Sequence, residues 1–305
     1  MCEERAFCIV GRNEESMKKI LITGCNGQLG RAINKAYQND EVTFVNTDVV
    51  EADGVVALDI TSVEAVLSLV RQEKPDVIIN CAAHTNVDKC EEQWDLAYQI
   101  NAIGPRNLSI AASEVGAKLI HVSTDYVFAG DGSQPYTEFD EVAPNSAYGK
   151  TKLMGERFVQ QFAGKYFIVR TAWLYGDGHN FAKTMLRLSE SHDKVSVVCD
   201  QIGSPTSAME LARMIHFLEP TENYGLFHGT CEGYCSWADF ASEVFRLAGK
   251  NTEVEYITTE EYQRRNPASA KRPAYSVLDN YMLRLTSEYR MADWKDAIAE
   301  YMQGM

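Results

Sequence analysis

Short apolar runs alternate with amphipathic segments through the first half of the chain. The apolar runs are continuous, which is typical of strands buried on both faces of a parallel sheet. The predicted strands cover residues 18–23, 42–47, 76–83, 118–124 and 167–172. The predicted helices cover residues 28–38, 62–73, 91–114 and 148–162, the third with a bend near Gly104 and Pro105. This alternation predicts an α/β fold, a Rossmann-type doubly wound parallel sheet with helices on both faces.

The pattern of alternating strands and helices changes after residue 176. Helical segments near 180–191, 206–218, 237–248 and 293–302 alternate with short extended pieces near 195–199, 226–230 and 253–257. We therefore expect a dinucleotide-binding domain over 17–176 and a smaller C-terminal α/β substrate-binding lobe mainly from 177–305. Some segments of that lobe are expected to return to the first domain. Residues 1–16 are predicted to be an N-terminal extension outside the core fold.

Composition excludes several classes of partner. The 29 basic and 43 acidic residues give a net charge of −14, which argues against nucleic acid, because phosphate backbones require clustered lysine and arginine. No apolar run reaches the roughly 18 residues that span a bilayer, and the acidic N-terminus does not resemble a signal peptide. We expect a cytoplasmic protein with no membrane partner. The oligomeric state stays open, a homodimer included.

The cysteines and histidines do not suggest a metal centre. Eight cysteines are scattered along the chain, and without secretory context they are most simply reduced thiols. Cys231 and Cys235 are close in sequence, but their spacing is not that of a CxxC pair. The six histidines form no HExxH-like cluster. No metal is expected.

A glycine-rich turn follows the first predicted strand and opens the first predicted helix. Gly24 permits the tight turn, Gly27 lets the backbone approach a pyrophosphate, and Gly30 lets the helix pack on the sheet. Phosphates would then lie at the helix N-terminus. The spacing is GxxGxxG, a variant of the GxGxxG fingerprint. With its strand–turn–helix context, it predicts a dinucleotide site.

An acidic residue ends the second predicted strand. Asp48 can accept hydrogen bonds from an adenosine ribose and would repel a 2′-phosphate, which favours NADH as the cofactor. Arg31 lies close in sequence and can offset that repulsion, so NADPH remains possible. Asp59 and Ile60 can flank the adenine, although this segment also fits the start of a helix.

Polar side chains follow the predicted strand at 118–124, at the edge where open α/β sheets bind ligands. Thr124 ends this strand, and its hydroxyl can donate to a substrate oxygen. Tyr148 and Lys152 lie four residues apart on one helical face. A lysine ammonium beside the phenol is expected to lower the pKa of Tyr148, making it a proton donor and acceptor near neutral pH. By itself, this pair is also common on solvated helices.

The segment after the preceding strand reaches the same edge. It reads NCAAHT, and Ala83 is small enough for a flat cofactor to lie close to the backbone. His84, taken alone, is better explained as a structural residue than as a catalytic one.

Together these motifs resemble the extended short-chain dehydrogenase/reductase superfamily, and within it the dTDP-4-dehydrorhamnose reductase family. The resemblance extends from about Met17 to the C-terminal lobe. It is carried by GCNGQLG (24–30), PDVIINCAAHTNVDKCE (75–91), HVSTDYVFAG (121–130), YGKTKLMGE (148–156), RTAWLYG (170–176), NFAKTMLRL (180–188), DQIGSPT (200–206), SWADFA (236–241) and RPAYSVL (272–278).

The resemblance implies an activity and a set of site residues. The activity is NAD(P)H-dependent reduction of the C4 ketone of a dTDP-keto-deoxysugar, dTDP-4-dehydrorhamnose, with Tyr148 as proton donor. The implied catalytic residues are Thr124, Tyr148 and Lys152. The implied dinucleotide-binding residues are Gly27, Gln28, Leu29, Asp48, Asp59, Ile60, Ala83, His84, Thr85, Tyr148 and Lys152. The implied substrate-binding residues are Thr124, Asp125, Trp173 and Arg272, the last against the diphosphate.

Three other functions stay open at this point. Related dehydratases carry an Asp-Glu pair after the threonine, whereas Asp125 is followed here by Tyr126, which argues against elimination. A reductase or epimerase of another dTDP-keto-deoxysugar would share these motifs. A non-catalytic dinucleotide-binding subunit, like the regulatory subunit of methionine adenosyltransferase, would share the fold.

Overall fold

A seven-stranded parallel sheet forms the centre of the molecule. The computed structural model describes residues 17–267 and 269–305, so the predicted extension at 1–16 lies outside the described residues. The strands are β1 (Lys18–Thr23), β2 (Val42–Asp48), β3 (Val56–Ala57), β4 (Val77–Asn80), β5 (Lys118–Thr124), β6 (Tyr166–Thr171), β7 (Leu174–Tyr175), β8 (Lys194–Val198), β9 (Ile202–Gly203), β10 (Thr206–Ser207), β11 (Gly225–His228), β12 (Cys235–Ser236) and β13 (Glu253–Ile257). The main sheet has the order β11-β6-β5-β4-β1-β2-β3. The predicted doubly wound parallel fold is confirmed.

Helices cover both faces of this sheet. They are α1 (Gln28–Ala36), α2 (Val63–Glu73), α3 (Val87–Glu92), α4 (Trp94–Tyr98), α5 (Gly104–Val115), α6 (Ala147–Phe162), α7 (Phe181–Ser189), α8 (Ala208–Leu218), α9 (Trp237–Leu247), α10 (Thr259–Arg265), α11 (Tyr281–Thr286) and α12 (Trp294–Gln303). Side chains alternate across β1: Ile20 and Ile22 face α1 and α8, whereas Leu21 faces α2, α5 and α6. Within residues 17–267 and 269–305, no helix is long and apolar enough to cross a bilayer.

The predicted helical region at 91–114 is broken at Gln93, between α3 and α4. From Trp94 to Val115 the chain stays helical, because a π-helical turn at Gln99–Ile103 joins α4 to α5 next to the predicted bend at Gly104 and Pro105. Pro105 lies just after this π turn and cannot donate to the turn before it, a loss that the π turn accommodates. In the π turn, Asn101 accepts the His84 N–H at 2.8 Å and donates to the His84 carbonyl at 3.0 Å. The π turn therefore anchors the loop that follows β4.

The C-terminal half contains a second, smaller core and also contributes to the main sheet. Helices α7, α9 and α12 enclose Tyr175, Phe240 and Trp294 together with the parallel pair β8–β13. Strand β11 pairs with β6 in the main sheet, and α8 packs on α1. These segments interleave the two halves of the chain, and the boundary after residue 176 stays a prediction.

The parallel arrangement gathers the carboxyl ends of the central strands at one edge. Thr23 ends β1, Asn80 ends β4, Thr124 ends β5 and Thr171 ends β6. The Thr23 hydroxyl donates to Asn80 Oδ1 at 2.7 Å, which ties two of these ends together. Ligands of open α/β sheets bind at this edge.

Candidate active site

A cleft of about 500 Å³ opens at the carboxyl edge of the sheet. It is bounded by the glycine turn, by the ends of β5 and β6, and by the first turns of α6. The structure brings most of the predicted site residues together here. Those that line the cleft are Gly24, Gly27, Gln28, Leu29, Gly30, Ala83, Thr85, Thr124, Asp125, Tyr148, Lys152 and Trp173.

The glycine turn packs so tightly that side chains cannot enter it. Gly24 has φ +65°, and a Cβ built there would lie 2.8 Å from the Ala82 backbone nitrogen. A Cβ on Gly30 would lie 2.5 Å from Cys25 Cα. Both distances are shorter than van der Waals contact allows. The turn therefore brings the start of α1 directly onto the backbone that follows β4.

The start of α1 fits the diphosphate of a dinucleotide. Its N-cap is Gly27, which provides no side-chain cap, and the first turn carries no acidic residue. The first backbone N–H groups of the helix are therefore available to an anion, which the partial positive charge of the helix end favours. Gln28 Oε1 is buried in the same region with no hydrogen-bond partner among the described residues. A bound ligand donor would satisfy it.

Asp48 lies beside the glycine turn, outside the lining of the cleft. Its Oδ2 accepts the Asn26 N–H at 3.1 Å and its Oδ1 accepts the Val49 N–H at 2.8 Å. The carboxylate is thus fixed at the end of β2, on the side of the turn where the ribose of a dinucleotide would lie.

Three other predicted cofactor residues do not line the cleft. The Asp59 carboxylate accepts the backbone N–H and the hydroxyl of Thr61 at 2.9 and 2.8 Å. Ile60 is buried in the core beside α5. His84 is held through its backbone by Asn101. Their contact with a dinucleotide stays a prediction.

Tyr148 and Lys152 lie in the first two turns of α6. Ser146 caps this helix by accepting the Gly149 N–H at 3.1 Å. Lys152 is 2 % exposed, and its Nζ donates to the Val122 carbonyl at 2.6 Å. Burial lowers the pKa of Lys152 to about 8. The ammonium is therefore charged at neutral pH and loses its proton in mildly alkaline solution.

The expected lowering of the Tyr148 pKa is not found. Burial raises this pKa well above its ordinary value, although the nearby Thr124 hydroxyl acts in the opposite direction. Lys152 donates instead to a carbonyl of β5. The spacing of Tyr148 and Lys152 indicates the effect of the lysine charge but not the cost of burying a phenolate. The phenol is consequently protonated at neutral pH, as a proton donor must be.

Thr124 and Asp125 form a linked pair at the end of β5. The Thr124 hydroxyl donates to Asp125 Oδ1 at 2.8 Å and accepts the Tyr126 N–H at 3.2 Å. Burial raises the pKa of Asp125 to about 6. Its Oδ2 is buried, with no hydrogen-bond partner among the residues described. A substrate hydroxyl is a suitable donor to this oxygen.

An aromatic stack forms the far wall of the cleft. Trp173 has φ +47°, which is costly for a bulky residue and typical of functional sites. Its ring stacks on Trp237 with centroids 3.5 Å apart and planes at 6°. Trp237 begins α9 and lies in the SWADFA motif, but it is not among the predicted site residues. Only the fold brings a residue 64 positions further along the chain onto Trp173.

A second cavity of about 430 Å³ adjoins the cleft. Tyr126 and Trp237 line both spaces and so stand between them. Arg272, the remaining predicted substrate residue, lines this second cavity. Its Nη2 donates to Asp88 Oδ2 at 2.9 Å and its Nη1 to the Ala270 carbonyl at 3.0 Å. Arg272 is thus held at the second cavity, near Tyr126.

Comparisons with known proteins agree with this geometry. The family model described as RmlD substrate binding domain matches residues 17–305. A dTDP-4-dehydrorhamnose reductase of Aggregatibacter actinomycetemcomitans is 40% identical over 92% of this chain and 97% of its own. The crystal structure of a dTDP-4-dehydrorhamnose reductase from Clostridium acetobutylicum is 57% identical, with a TM-score of 0.89 over 93% of this chain and 98% of that one.

A third relative was solved with a cofactor. The dTDP-4-dehydrorhamnose reductase of Bacillus anthracis, crystallised in complex with NADP, is 41% identical, with a TM-score of 0.89 over 95% of this chain and 100% of that one.

Fold and cleft thus define an NAD(P)H-dependent reductase built on the extended short-chain dehydrogenase/reductase fold. The chain belongs to the dTDP-4-dehydrorhamnose reductase family, as its motifs indicated.

Proposed function

We propose that the protein reduces the C4 ketone of dTDP-4-dehydrorhamnose (dTDP-4-dehydro-6-deoxy-L-mannose) to give dTDP-L-rhamnose. One observation carries the proposal: the Thr124 hydroxyl and the Tyr148 phenol lie together in a cleft whose other side is a helix N-terminus suited to a dinucleotide diphosphate. The similarity to curated reductases of this sugar nucleotide supports the choice of substrate.

Each of the three catalytic residues has a distinct role in the proposed reaction. The reduced nicotinamide, when bound, supplies a hydride to C4 of the ketone. Tyr148 donates its phenolic proton to O4 as negative charge develops there, since burial keeps the phenol protonated. The Thr124 hydroxyl, whose single hydrogen is donated to Asp125 Oδ1 in this structure, would turn to donate it to the same oxygen. The Lys152 ammonium, one helical turn from Tyr148, stabilises the phenolate that remains.

The two adjoining cavities suggest how the sugar nucleotide lies. The deoxysugar would occupy the cleft against Trp173, with Asp125 Oδ2 accepting one of its hydroxyls. The thymidine diphosphate would extend past Trp237 into the second cavity. Arg272 lies there as a cation for the diphosphate and keeps donors beyond its two protein contacts. In this arrangement the C-terminal lobe would bind the thymidine diphosphate, while the deoxysugar would lie against Asp125 and Trp173 of the segment 17–176.

For the cofactor, we propose that NADH is preferred and NADPH is also used. The fixed Asp48 carboxylate favours a ribose with a free 2′-hydroxyl, because its charge repels a 2′-phosphate. Arg31 in the first turn of α1 can partly compensate for that charge. A cytoplasmic location and a homodimer also stay predictions.

The decisive experiment supplies the purified protein with dTDP-4-dehydrorhamnose and either NADH or NADPH. We expect cofactor oxidation at 340 nm and dTDP-L-rhamnose as the product, identified by chromatography and NMR. A product with another C4 configuration would point to a related reductase. Dinucleotide binding without oxidation would point to a regulatory subunit.

A further inference from the structure

A buried charge cluster lies directly beneath the cleft and includes none of the proposed catalytic residues. It consists of Glu156 on α6, Arg170 on β6 and Ser123 on β5. Glu156 is 1 % exposed, and Arg170 and Ser123 are each 3 % exposed. Charged side chains are almost never this buried unless they are paired. Such a cluster is retained at a cost in desolvation, so its place under the catalytic groups calls for an explanation.

One carboxylate joins the three elements of the cluster. Glu156 Oε1 accepts the Ser123 hydroxyl at 2.5 Å and the Arg170 Nε–H at 2.9 Å, and Oε2 accepts the Arg170 Nη2–H at 2.7 Å. The guanidinium lies over the Phe128 ring, 5.1 Å from its centroid. Bidentate pairing and the stacked ring fix Arg170 in one orientation. Glu156 is therefore a rigid link between α6, β5 and β6.

The same carboxylate connects the proposed catalytic residues. Tyr148, Lys152 and Glu156 follow one another at intervals of four, so they share one face of α6. Ser123 lies between Val122, whose carbonyl accepts the Lys152 ammonium, and Thr124. Glu156 thus holds the stretch of β5 that binds Lys152 on one side and presents Thr124 on the other.

Glu156 is also the carboxylate that acts on the Lys152 charge. Its negative charge raises the pKa of Lys152, against the larger effect of burial. A charged Cys81 thiolate would act on the Lys152 pKa in the same direction, but the groups facing this ammonium other than Glu156 carry no negative charge near neutral pH. Burial raises the Cys81 pKa to about 12, which keeps the thiol neutral, and burial and Lys152 itself lower the His121 pKa. The Tyr148 phenol is also protonated and carries no charge. Arg170 is paired with the same carboxylate, so the Glu156 charge is shared between the guanidinium and the ammonium.

We propose that Glu156 is a positioning residue for the reduction: its carboxylate fixes Lys152 and Thr124 relative to one another and supplies the counter-charge for the buried ammonium. The inference rests on the proposed function, since it assumes the roles given to Lys152 and Thr124. It adds a second layer to the site, in which Glu156 and Arg170 line neither cavity and Ser123, which lines the cleft, joins them to the catalytic residues.

The test compares three variants of the full chain: Glu156→Gln, Glu156→Asp and Ser123→Ala. For each, kcat and KM are measured between about pH 6 and about pH 10. The Lys152 ammonium is present below its pKa and is lost as the pH rises, so activity falls on the alkaline side. This fall is the alkaline limb of the pH profile of kcat. We expect Glu156→Gln to reduce kcat severalfold and to shift the alkaline limb to a pH about one unit lower.

The other two variants separate charge from geometry. Glu156→Asp keeps the charge and should restore the alkaline limb. Ser123→Ala keeps the Glu156–Arg170 ion pair but removes the hydrogen bond that holds the end of β5. The value of kcat should therefore fall severalfold, while the pH of the alkaline limb should not change. The KM for the sugar nucleotide should be unchanged in both Glu156 variants, because Glu156 lines neither of the two cavities.

Dinucleotide affinity, followed by quenching of tryptophan fluorescence, provides a readout that needs no turnover. Affinity should be lost at high pH, and at a lower pH in Glu156→Gln than in the natural protein.

A folded Glu156→Gln variant with the natural alkaline limb in both kcat and affinity would overturn the proposal. If that variant does not fold, natural kcat in both Glu156→Asp and Ser123→Ala would overturn it, whereas reduced kcat in Ser123→Ala would support it. Failure of the natural enzyme to reduce the ketosugar would instead refute the proposed function, and the affinity measurement would still test Glu156.

Discussion

The two sides of the cleft are built in different ways. The cofactor side comes from consecutive strands of one parallel sheet and from backbone atoms packed too closely to admit a side chain. The substrate side comes from residues distant in sequence, Trp173, Trp237 and Arg272, held by ring stacking and one partly exposed ion pair. The comparison indicates that changes on the cofactor side act through the fold, whereas changes on the substrate side act through affinity.

The largest effect of a single substitution on stability is expected at Gly30, on the cofactor side. Gly30→Ala places a Cβ within 2.7 Å of three backbone atoms, which should destabilise the protein by about 3 kcal/mol or more. The better helix propensity of alanine, worth about 1 kcal/mol, cannot offset this. The free energy of unfolding in urea should fall and dinucleotide binding should be lost.

Gly164→Ala is the matched control for that experiment. No atom lies within 4 Å of a Cβ at Gly164, and its φ is not positive. Its stability should change by less than about 0.5 kcal/mol. Equal stability of both variants would show that the glycine turn is not the rigid element described.

A change on the substrate side should leave the fold intact and weaken only substrate binding. Trp237→Ala removes the stack on Trp173 and one wall of each cavity. Aromatic pairs contribute about 0.5–1.5 kcal/mol beyond burial, so the KM for the sugar nucleotide should rise about tenfold. The dissociation constant of the dinucleotide should not change. Trp94→Ala, at a half-exposed position outside both cavities, is the control, and equal KM values in the two variants would contradict the assignment.

The smallest expected effect concerns the choice of cofactor. Asp48→Asn keeps an acceptor for the Asn26 N–H but removes the charge that repels a 2′-phosphate. Because Asp48 is partly exposed, the repulsion is screened, and the ratio of kcat/KM for NADPH to that for NADH should rise only about fivefold. An unchanged ratio in steady-state assays with both cofactors would show that Asp48 does not select between them.

The same contrast explains what could be read from the sequence. Strands β1 and β5 coincide with their predicted bounds, because a continuous apolar run ending in a polar residue is a local signal. The glycine turn is equally local. These features bring the predicted catalytic residues to one edge, since parallel strands have their carboxyl ends together.

The features that were missed or wrong depend on tertiary structure. The π turn within 91–114 contains Asn101, which binds the backbone of the loop after β4, a contact with no local signal. Trp237 meets Trp173 only in the folded chain. The raised Tyr148 pKa follows from burial, which the spacing of Tyr148 and Lys152 does not reveal.

The central claim is that Tyr148, where the two sides meet, delivers a proton to the substrate ketone. The most direct measurement is turnover and dinucleotide affinity of Tyr148→Phe, which removes the phenolic hydroxyl and keeps the ring. Because a positioned proton donor contributes about 10²–10⁴-fold, kcat should fall by about a thousandfold. The dinucleotide dissociation constant should stay within about threefold of the natural value, since the glycine turn is untouched. Near-natural turnover in this variant would contradict the account.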